Sequence, residues 1–517
     1  MLFITFFANA TIIRVPAQYP TIQQGLNAAQ YGDTVLVAAN TYVENISWPM
    51  TDGLSLMSES GPVTTIIDGN NAGRVINFPN YAYNINTVIA GFTIQNGFAI
   101  KGGGIYSYGS PNIVGNIIQY NTAQGTSTWV YGGGIHCDGS GAPRIEYNIF
   151  NANVARGEYW NYGGAIYIDD GLAPFIIGNL IMNDSTIGGY WNYGAGIFCD
   201  QNTIPDIRHN IIHSNVAYGG DRGYGVGIHT YNDCTAYILS NLIYNNIAQS
   251  NIWNYGAGIH VENGTIIYNN TIVGNSCIGG NTSRGGGINV DDSTNIIANN
   301  IVVNNNALYG GGIGGSGSAH ATLMPNDVWN NTGGNYYNFA PGLNDISLDP
   351  LFVAGPLGDY YLSQIAAGQA VNSPCFDYGF TAAESLQLNT STTRTDTIYD
   401  EGVVDLGYHY PGSPWVYIFE NRMDPKGIML SRKLIVAPTI SNSCFTIRVI
   451  NNEDTKSKLC LYDCSGRKSQ IIYDGKLSKE INDFQLPVQG NMSAGIYFIV
   501  LESENQERIT EKIIITK

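Results

Sequence analysis

Apolar and polar residues alternate along most of the chain in short runs that asparagine, glycine and proline separate. The segments GGIHCD at 133–138 and PRIEYNIF at 143–150 show this alternation. A period of two residues is typical of β-strands that bury one face. No part of this region places apolar residues at helical spacing, so we expect strands throughout.

A glycine-isoleucine motif recurs through the middle of the chain, as GGGIY at 102–106 and GAGIF at 194–198, for example. Its isoleucines are Ile105, Ile135, Ile166, Ile197, Ile228, Ile259, Ile288 and Ile313. An asparagine keeps the same period, at Asn116, Asn148, Asn179, Asn210, Asn241, Asn270 and Asn300. Most of these steps are 31 residues, and a fixed period in this range indicates a solenoid, a propeller or an array.

The length of the repeat favours a solenoid. A propeller blade takes roughly 40 residues for its four strands, which is more than this repeat offers. Three short strands, two tight turns and one longer loop fill one coil of a parallel β-helix. Asparagine at a fixed turn suits such a coil, because stacked side chains can hydrogen-bond up the column and asparagine tolerates the left-handed conformation. We therefore predict an all-β protein built on a parallel β-helix.

Two segments resemble a known superfamily. Residues 12–67, which begin IIRVPAQYPTIQQGLNAAQ, resemble the opening of right-handed parallel β-helix proteins of the pectin-lyase-like superfamily. That resemblance implies an amphipathic helix at about 22–29, which would cover strand edges that otherwise recruit another chain. Residues 345–410, with DISLDPLF, NSPCFDYG and VVDLGYHYP, are similar to the closing part of secreted bacterial β-helix proteins. We expect a right-handed solenoid of ~31-residue coils over residues 11–412.

The end of the chain has a different composition. Lysine occurs once before residue 426, at Lys101, and nine times from Lys426 onward. The segments AGIYFIVLES at 494–503 and KIIITK at 512–517 resemble the C-terminal sorting domain of the type IX secretion route. The resemblance implies contact with bacterial export machinery and a secreted or outer-surface location. We expect a linker at 413–432 and a small immunoglobulin-like antiparallel β-sandwich at 433–517; a plain accessory domain of that fold is the alternative.

The first ten residues, MLFITFFANA, look like the end of a signal peptide without its basic region, or like a first strand. No segment approaches the ~18 apolar residues that cross a bilayer. Lys plus Arg is 23 against 40 Asp plus Glu, a net charge of −17, which disfavours nucleic acid as a partner. The eight cysteines show no CxxC pair, so we expect ordinary thiols rather than a disulfide framework.

Alternation assigns the side chains of each coil to two sides. The residue two after each isoleucine should point inward: Ser107, Cys137, Ile168, Cys199, Thr230, Val261 and Val290. The residue one after it should point outward: Tyr106, His136, Tyr167, Phe198, His229, His260 and Asn289. The residue three after it should also point outward: Tyr108, Asp138, Asp169, Asp200, Tyr231, Glu262 and Asp291.

Two aromatic columns precede the isoleucine. The column six residues before it holds Trp129, Trp160, Trp191, Arg222 and Trp253, and the column four before it holds Tyr131, Tyr162, Tyr193, Tyr224 and Tyr255. Together with Tyr167, His136, His260 and Glu262, these residues predict a binding face for polysaccharide or cell-surface glycan. Sugar rings would lie on the aromatic faces while their hydroxyls bond to carboxylates and imidazoles. Packing of the aromatic residues on one another is the purely structural alternative.

The stacked acids suggest chemistry. Asp138, Asp169 and Asp200 are like charges on successive coils, which raises pKa values or calls for a cation such as calcium. Adjacent coils would bring two carboxyl groups to about 5 Å, near the spacing of a retaining glycosidase, while alternate coils would give about 9.5 Å, near the inverting limit. His229 could transfer protons, and Arg222, which replaces tryptophan, could pair with a substrate carboxylate. These five residues are the catalytic candidates, and solvated surface acids are the plain alternative.

The reaction stays open. The superfamily resemblance implies either calcium-assisted β-elimination of uronates or hydrolysis by aspartates. The Asn-Thr-Asp and His-Gly elements of the hydrolases are missing, and Arg222 is the one basic residue in these columns. Three hypotheses follow: a polysaccharide lyase or glycoside hydrolase, a non-catalytic surface adhesin that binds glycans, or a structural rod. The near-uniform repeat favours repetitive binding over a single reaction centre.

Overall fold

The computed structural model describes residues 10–411 except 81, 127, 128 and 293, and residues 433–515 with short gaps at 438–439, 442–443, 452–454, 464–466, 478–479, 489–491, 494 and 504–507. The expected signal sequence (apart from residue 10) and the linker at 413–432 lie outside the described residues. The chain divides into two compact units, residues 1–420 and 421–517.

The first unit is a parallel β-helix whose strands form five sheets, numbered here in the order in which one coil visits them. Sheet 1 has twelve strands: Ile12–Val15, Thr34–Val37, Ser55–Ser58, Val88–Ala90, Asn112–Val114, Arg144–Glu146, Phe175–Ile177, Asp206–Arg208, Tyr237–Leu239, Ile266–Tyr268, Thr294–Ala298 and His320–Leu323. Sheet 2 has eleven: Asn40–Val43, Thr65–Asp68, Thr93–Gln95, Ile117–Gln119, Ile149–Asn151, Leu180–Met182, Ile211–His213, Leu242–Tyr244, Thr271–Val273, Ile301–Val303 and Asp327–Trp329.

The remaining three sheets complete the coil. Sheet 3 has seven strands: Phe98–Ala99, Thr122–Gly125, Val154–Gly157, Ser185–Ile187, Val216–Tyr218, Ile247–Gln249 and Ser276–Cys277. Sheet 4 has six: Val130–Tyr131, Trp160–Tyr162, Trp191–Tyr193, Arg222–Tyr224, Trp253–Tyr255 and Thr282–Arg284. Sheet 5 has eleven: Ile46–Ser47, Ile76–Phe78, Ile105–Ser107, Ile135–Cys137, Ile166–Ile168, Ile197–Cys199, Ile228–Thr230, Ile259–Val261, Ile288–Val290, Ile313–Gly315 and Tyr336–Tyr337.

The solenoid prediction is confirmed, but the expected three strands per coil are too few. The longer aromatic loop itself forms a strand of sheet 4, because its residues recur in the same register on successive coils: Trp160 pairs with Trp191 and Tyr162 with Tyr193. The predicted interior positions of sheet 5 are confirmed, since Cys137, Ile168 and Cys199 are fully buried among the repeat isoleucines.

One helix, α1 (Ile22–Ala28), packs at the start of the stack and confirms the expected cap within one residue. Thr21 accepts a hydrogen bond from the Gln24 amide, and Glu44 accepts from the amides of Ile22 and Gln23 at 2.9 and 3.0 Å. These acceptors satisfy donors that a helix start leaves open. Ile22 and Leu26 are buried in the core, so the helix covers apolar coil interior.

Two asparagine ladders flank sheet 2. The predicted one runs through Asn116, Asn148, Asn179, Asn210, Asn241, Asn270, Asn300 and Asn326, with side-chain amides joined at 2.9–3.1 Å. A second ladder, which the sequence analysis missed, contains Asn121, Asn153, Asp184, Asn215, Asn246, Asn275, Asn305 and Asn331. The left-handed backbone belongs to the residue before each ladder position other than Asn326, which follows a proline; Tyr147 and His209, both at φ 56°, are examples.

The closing segment packs on the outside of the coils. Leu362, Cys375 and Leu406 bury apolar surface against Val273 and Ile301 of sheet 2. Backbone amides of this segment also bond to the coils, and that of Tyr408 donates to the Thr271 hydroxyl at 2.9 Å. The segment therefore covers the outer side of sheet 2.

The second unit consists of two small sheets around its own core. The strands are Lys433–Ala437, Ile440–Ser441, Cys444–Asn451, Thr455–Asp463, Lys468–Leu477, Glu480–Pro487, Gly495–Ser503 and Arg508–Ile515. All pairs are antiparallel apart from the short contact of Ile440–Ser441 with Arg508–Ile515. Ile447, Leu459 and Ile499 are buried between them. This agrees with the sandwich predicted for 433–517.

Six described cysteines are free and buried: Cys137, Cys199, Cys234, Cys277, Cys375 and Cys460. The expectation of ordinary thiols therefore holds for these six residues, while Cys464 lies outside the described residues. In the described part of the chain, no helix is long and apolar enough to span a membrane.

Candidate functional site

The outer side of sheet 5 is covered by sheet 4. His136, His229 and His260 are all fully buried, and so are Tyr167 and Phe198. The sequence analysis placed these residues correctly on the side away from the coil interior, but its picture of an open histidine face is wrong. The tyrosines of sheet 4 fold over them, so that Tyr162, Tyr167, Tyr193 and Phe198 form a second apolar cluster outside the coil.

The tyrosine column is a continuous stack with a cation at each end. Ring centroids of Tyr131, Tyr162, Tyr193, Tyr224 and Tyr255 follow one another at 4.6–5.7 Å. The Lys101 ammonium lies 5.3 Å from the Tyr131 centroid, and the Arg284 guanidinium lies 4.0 Å from that of Tyr255. Both cations occupy the tyrosine position of their own coil. Each end of the tyrosine stack is therefore closed by a cation in cation–π contact with the last ring.

The tryptophan column is also a stack, and Arg222 belongs to it. Trp129, Trp160 and Trp191 lie face to face, with centroids 4.5 and 4.3 Å apart. The Arg222 guanidinium lies 4.4 Å from the Trp191 centroid and 4.5 Å from that of Trp253. A planar cation can replace an indole in such a stack. The faces of the interior rings are therefore in contact with neighbouring rings, and their edges point outward. This arrangement differs from the flat sugar platform expected from the sequence.

Asp169 and Asp200, on neighbouring coils, meet at one hydroxyl. The Tyr167 hydroxyl donates to Asp169 Oδ2 at 2.9 Å, and Asp200 Oδ2 lies 3.5 Å from the same oxygen. Burial, aided by the charge of Asp169, raises the pKa of Asp200 to about 6. Burial also raises the pKa of Asp169 above its usual range. Both carboxyl groups therefore hold their protons to a higher pH than an exposed aspartate does.

Asp138 has different partners. Its Oδ2 accepts a hydrogen bond from the Tyr106 hydroxyl at 3.0 Å and lies 3.6 Å from the Lys101 ammonium. In the described residues, the three-residue groups with ligand atoms close enough for one metal ion do not include Asp138, Asp169 or Asp200. Coils rise by about 4.8 Å, so that three carboxylates on three coils spread over roughly twice that distance. The expected calcium ladder is therefore not gathered into one compact site.

A different group has the geometry of a metal site. Ligand atoms of His229, His260 and Glu262 all lie within 4.8 Å of one another. The sequence analysis named all three residues, but it assigned His229 to catalysis and the other two to substrate binding. The signal was present as two histidines at the same position of consecutive coils, with a glutamate two residues after the second.

Two family models match parts of the chain. A model described as "Disaggregatase related" matches residues 222–379, and a model described as "Secretion system C-terminal sorting domain" matches residues 437–516. The first match covers the coils that carry His229, His260 and Glu262. The second confirms the sorting domain expected from the resemblance of 494–503 and 512–517. No curated protein matches the chain.

Proposed function

Because the chain is a bacterial β-helix protein that a type IX sorting domain directs to the cell surface or the medium, we propose that it binds a polysaccharide along the outer edge of sheets 4 and 5 and hydrolyses it with Asp169 and Asp200. The observation that carries this proposal is the Tyr167 hydroxyl between the two carboxyl groups. Two acids with unlike roles at short range are the chemistry of glycoside hydrolysis.

The two acids suit different roles. Asp200 is almost completely buried, and its pKa of about 6 keeps it protonated in weakly acidic solution, as a general acid requires. Asp169 accepts the closer hydrogen bond from Tyr167, which favours its ionised form and the role of nucleophile. Contact with one shared hydroxyl is compatible with the roughly 5–5.5 Å separation of retaining enzymes.

Exposed aromatic side chains on the coils that carry Asp138, Asp169 and Asp200 offer contacts for a sugar chain. Tyr159 and Tyr190 are 43% and 54% exposed, and Trp129 is 47% exposed at the start of the tryptophan stack. Exposed rings of this kind bury sugar C–H groups without closing the site. Hydroxyl groups of the sugar would bond to the carboxylates of the acid column, including Asp138.

The test is product release by the full-length protein from a panel of neutral and uronic-acid polysaccharides, followed as reducing ends and as unsaturated products. We expect reducing ends without unsaturation, and a loss of at least 100-fold in Asp169→Asn and Asp200→Asn. Asp170→Asn is the matched control, since this exposed neighbour undergoes the same charge change. Activity should fall as the pH rises through about 6, because Asp200 then loses the proton it must donate.

The outcomes separate the functions. Unsaturated products would indicate β-elimination of a uronate and would overturn the hydrolytic roles. Loss of activity equal in Asp170→Asn and Asp169→Asn would remove the acid pair as the centre. No cleavage of any polysaccharide would favour the second candidate, a non-catalytic rod or adhesin, which the covered faces of the tryptophan stack support.

A further inference from the structure

Two histidines face each other outside the coil interior. His229 and His260 pair in register in sheet 5, and their ring centroids lie 4.6 Å apart with the planes at 79°. Glu262 follows His260 by two residues, on the same outer side of the strand. The strand ladder fixes both imidazoles, while the Glu262 side chain is partly exposed and can adjust.

The imidazole of His229 is buried without a hydrogen-bond partner on either ring nitrogen. An unsatisfied buried polar group costs about 1–3 kcal/mol, and native proteins rarely keep one without a reason. Burial holds the pKa of His229 well below its ordinary value, with His260 as a further cause. Both ring nitrogens therefore lie in the interior with no hydrogen-bond partner among the described residues, and a neutral imidazole can offer one of them to a metal ion.

His260 Nε2 also lacks a hydrogen-bond partner. It lies 3.9 Å from Glu262 Oε1 and 3.7 Å from Asp291 Oδ2. These gaps are too long for direct hydrogen bonds. They suit a cation between the groups, because zinc lies about 2.0–2.2 Å from each nitrogen or oxygen ligand. Glu262 would move inward to complete such a geometry.

The neighbouring residues can orient the ligands. Asn289 Nδ2 lies 3.1 Å from His260 Nδ1, while the Oδ1 of the same amide is buried without a partner. Turning the amide over would let Oδ1 accept from Nδ1–H and leave the Nε2 lone pair for a metal. This orientation replaces the hydrogen bond that Nδ2 otherwise donates to Asp291 Oδ1 at 3.2 Å. Arg284 Nη2 lies 3.3 Å from Asp291 Oδ1 and holds that carboxylate beside the site.

We propose that His229, His260 and Glu262 bind one divalent transition-metal ion of the zinc class. Two imidazoles and one carboxylate favour zinc, cobalt or nickel over calcium, which prefers an all-oxygen shell. Three protein ligands leave a fourth position for water or for an oxygen of a bound molecule. The site shares no residue with the Asp169–Asp200 pair, and the proposal does not depend on hydrolysis by that pair.

A second cluster of possible metal ligands in the described residues does not combine buried, unpartnered nitrogen atoms with a nearby carboxylate. Asp377, Asp400 and Asp405 also have oxygens within 4.8 Å of one another. Their oxygens accept ordinary hydrogen bonds: Asp405 Oδ1 from the Asp377 amide at 2.6 Å, and Asp400 Oδ2 from His409 Nε2 at 2.8 Å. This group holds the closing segment together and carries no metal proposal.

The experiment uses the full-length protein without a histidine tag, stripped with a chelator and dialysed. Calorimetric titration with Zn²⁺ should give one site, and Co²⁺ should give the visible absorption bands of a low-symmetry site. His229→Gln, His260→Gln and Glu262→Gln should each weaken Zn²⁺ binding at least 10-fold. His320→Gln, at an exposed histidine of sheet 1, is the matched control and should bind as the wild type does.

Glu262→Gln keeps the proposal testable if a buried histidine variant does not fold, because its side chain lies at the surface edge of the site. Melting curves in chelator identify variants that fold. A wild-type chain that binds no Zn²⁺ at micromolar concentration would overturn the proposal. Unchanged binding in a folded Glu262→Gln or His229→Gln variant would do the same. Both readouts measure metal directly, so they are independent of polysaccharide cleavage.

Discussion

Buried polar side chains at the turns around sheet 2 and on the outer side of sheet 5 differ in whether they have hydrogen-bond partners. At the turns around sheet 2, the amide of Asn210 donates to Ile176 O and Asn241 Oδ1, and its oxygen accepts from Asn179. On the outer side of sheet 5, His229 is equally buried and its ring nitrogens have no hydrogen-bond partner. The first pattern is what a structural ladder requires. The second indicates a place where the protein keeps polar groups for something that binds.

Asn210→Ala would remove the hydrogen bonds of one asparagine in the ladder, and we expect it to lower the stability of the protein more than any of the other substitutions does. The change removes the buried oxygen that accepts from the backbone and side-chain N–H groups of Asn179, and it removes a donor to the Ile176 carbonyl. We therefore expect a loss of about 3–5 kcal/mol in the free energy of unfolding. Denaturation followed by circular dichroism measures it. Asn151→Ala, at a partly exposed asparagine two coils earlier, should cost less than about 1 kcal/mol. Equal losses in the two variants would show that the ladder position adds no stability beyond that of a surface asparagine.

Asp184 is the one acid among the asparagines of the second ladder, and Asp184→Asn would sharpen the comparison. Its Oδ1 accepts from Asn153, while Oδ2 is buried without a partner. Burial raises the pKa of Asp184 well above its ordinary value. We expect the amide, which restores the ladder donor, to stabilise the protein by about 1–3 kcal/mol at pH 7.5.

The pH dependence follows from the direction of that shift. Folded Asp184 keeps a proton that the unfolded chain releases at about pH 3.9, so its contribution to stability is present below that pH and is lost as the pH rises. Melting temperatures of wild type and Asp184→Asn should therefore converge near pH 4 and diverge toward pH 8. A constant difference between pH 4 and 8 would mean that folding does not raise the pKa of Asp184 above its value in the unfolded chain.

Variants of Arg222 test whether a charged side chain stabilises the tryptophan stack as well as a tryptophan does. Its guanidinium is stacked between Trp191 and Trp253, so Arg222→Ala should lower the free energy of unfolding by about 1–2 kcal/mol. Arg222→Trp restores the repeat and should stay within about 1 kcal/mol of the wild type. Thermal denaturation of the two variants decides the matter, and a destabilised tryptophan variant would argue that the cation itself is needed there.

Much of the solenoid could be predicted from the sequence, because each column repeats one residue type at one register. The isoleucines of sheet 5 and the first asparagine ladder follow from periodicity, whereas helix α1 was expected from the resemblance of residues 12–67 to other β-helix proteins. The second ladder was missed although it stands five residues after the first, as in Asn148 and Asn153. Aspartate at position 184 breaks its uniformity, and alternation alone does not distinguish a turn residue from a surface one.

The site was harder to predict. Alternation gives the side of the strand on which His229 lies, but not what covers that side. Coverage depends on how the aromatic strand of sheet 4 folds back over sheet 5, a tertiary arrangement that no local pattern contains. The repeat period was enough to place Asp169 and Asp200 on neighbouring coils. The position of the Tyr167 hydroxyl between them could not be predicted, because it depends on the same tertiary arrangement.

The cations at the two ends of the tyrosine stack have a consequence for how this protein can change during evolution. Lys101 and Arg284 stand at the tyrosine position itself, at the first and last coils of the stack. Duplication of a whole coil between them would lengthen the stack and keep both terminal charges, whereas duplication outside them would leave it unchanged. Duplication or deletion of whole repeats can thus change the length of the tyrosine stack by one coil at a time while the same two cations remain at its ends.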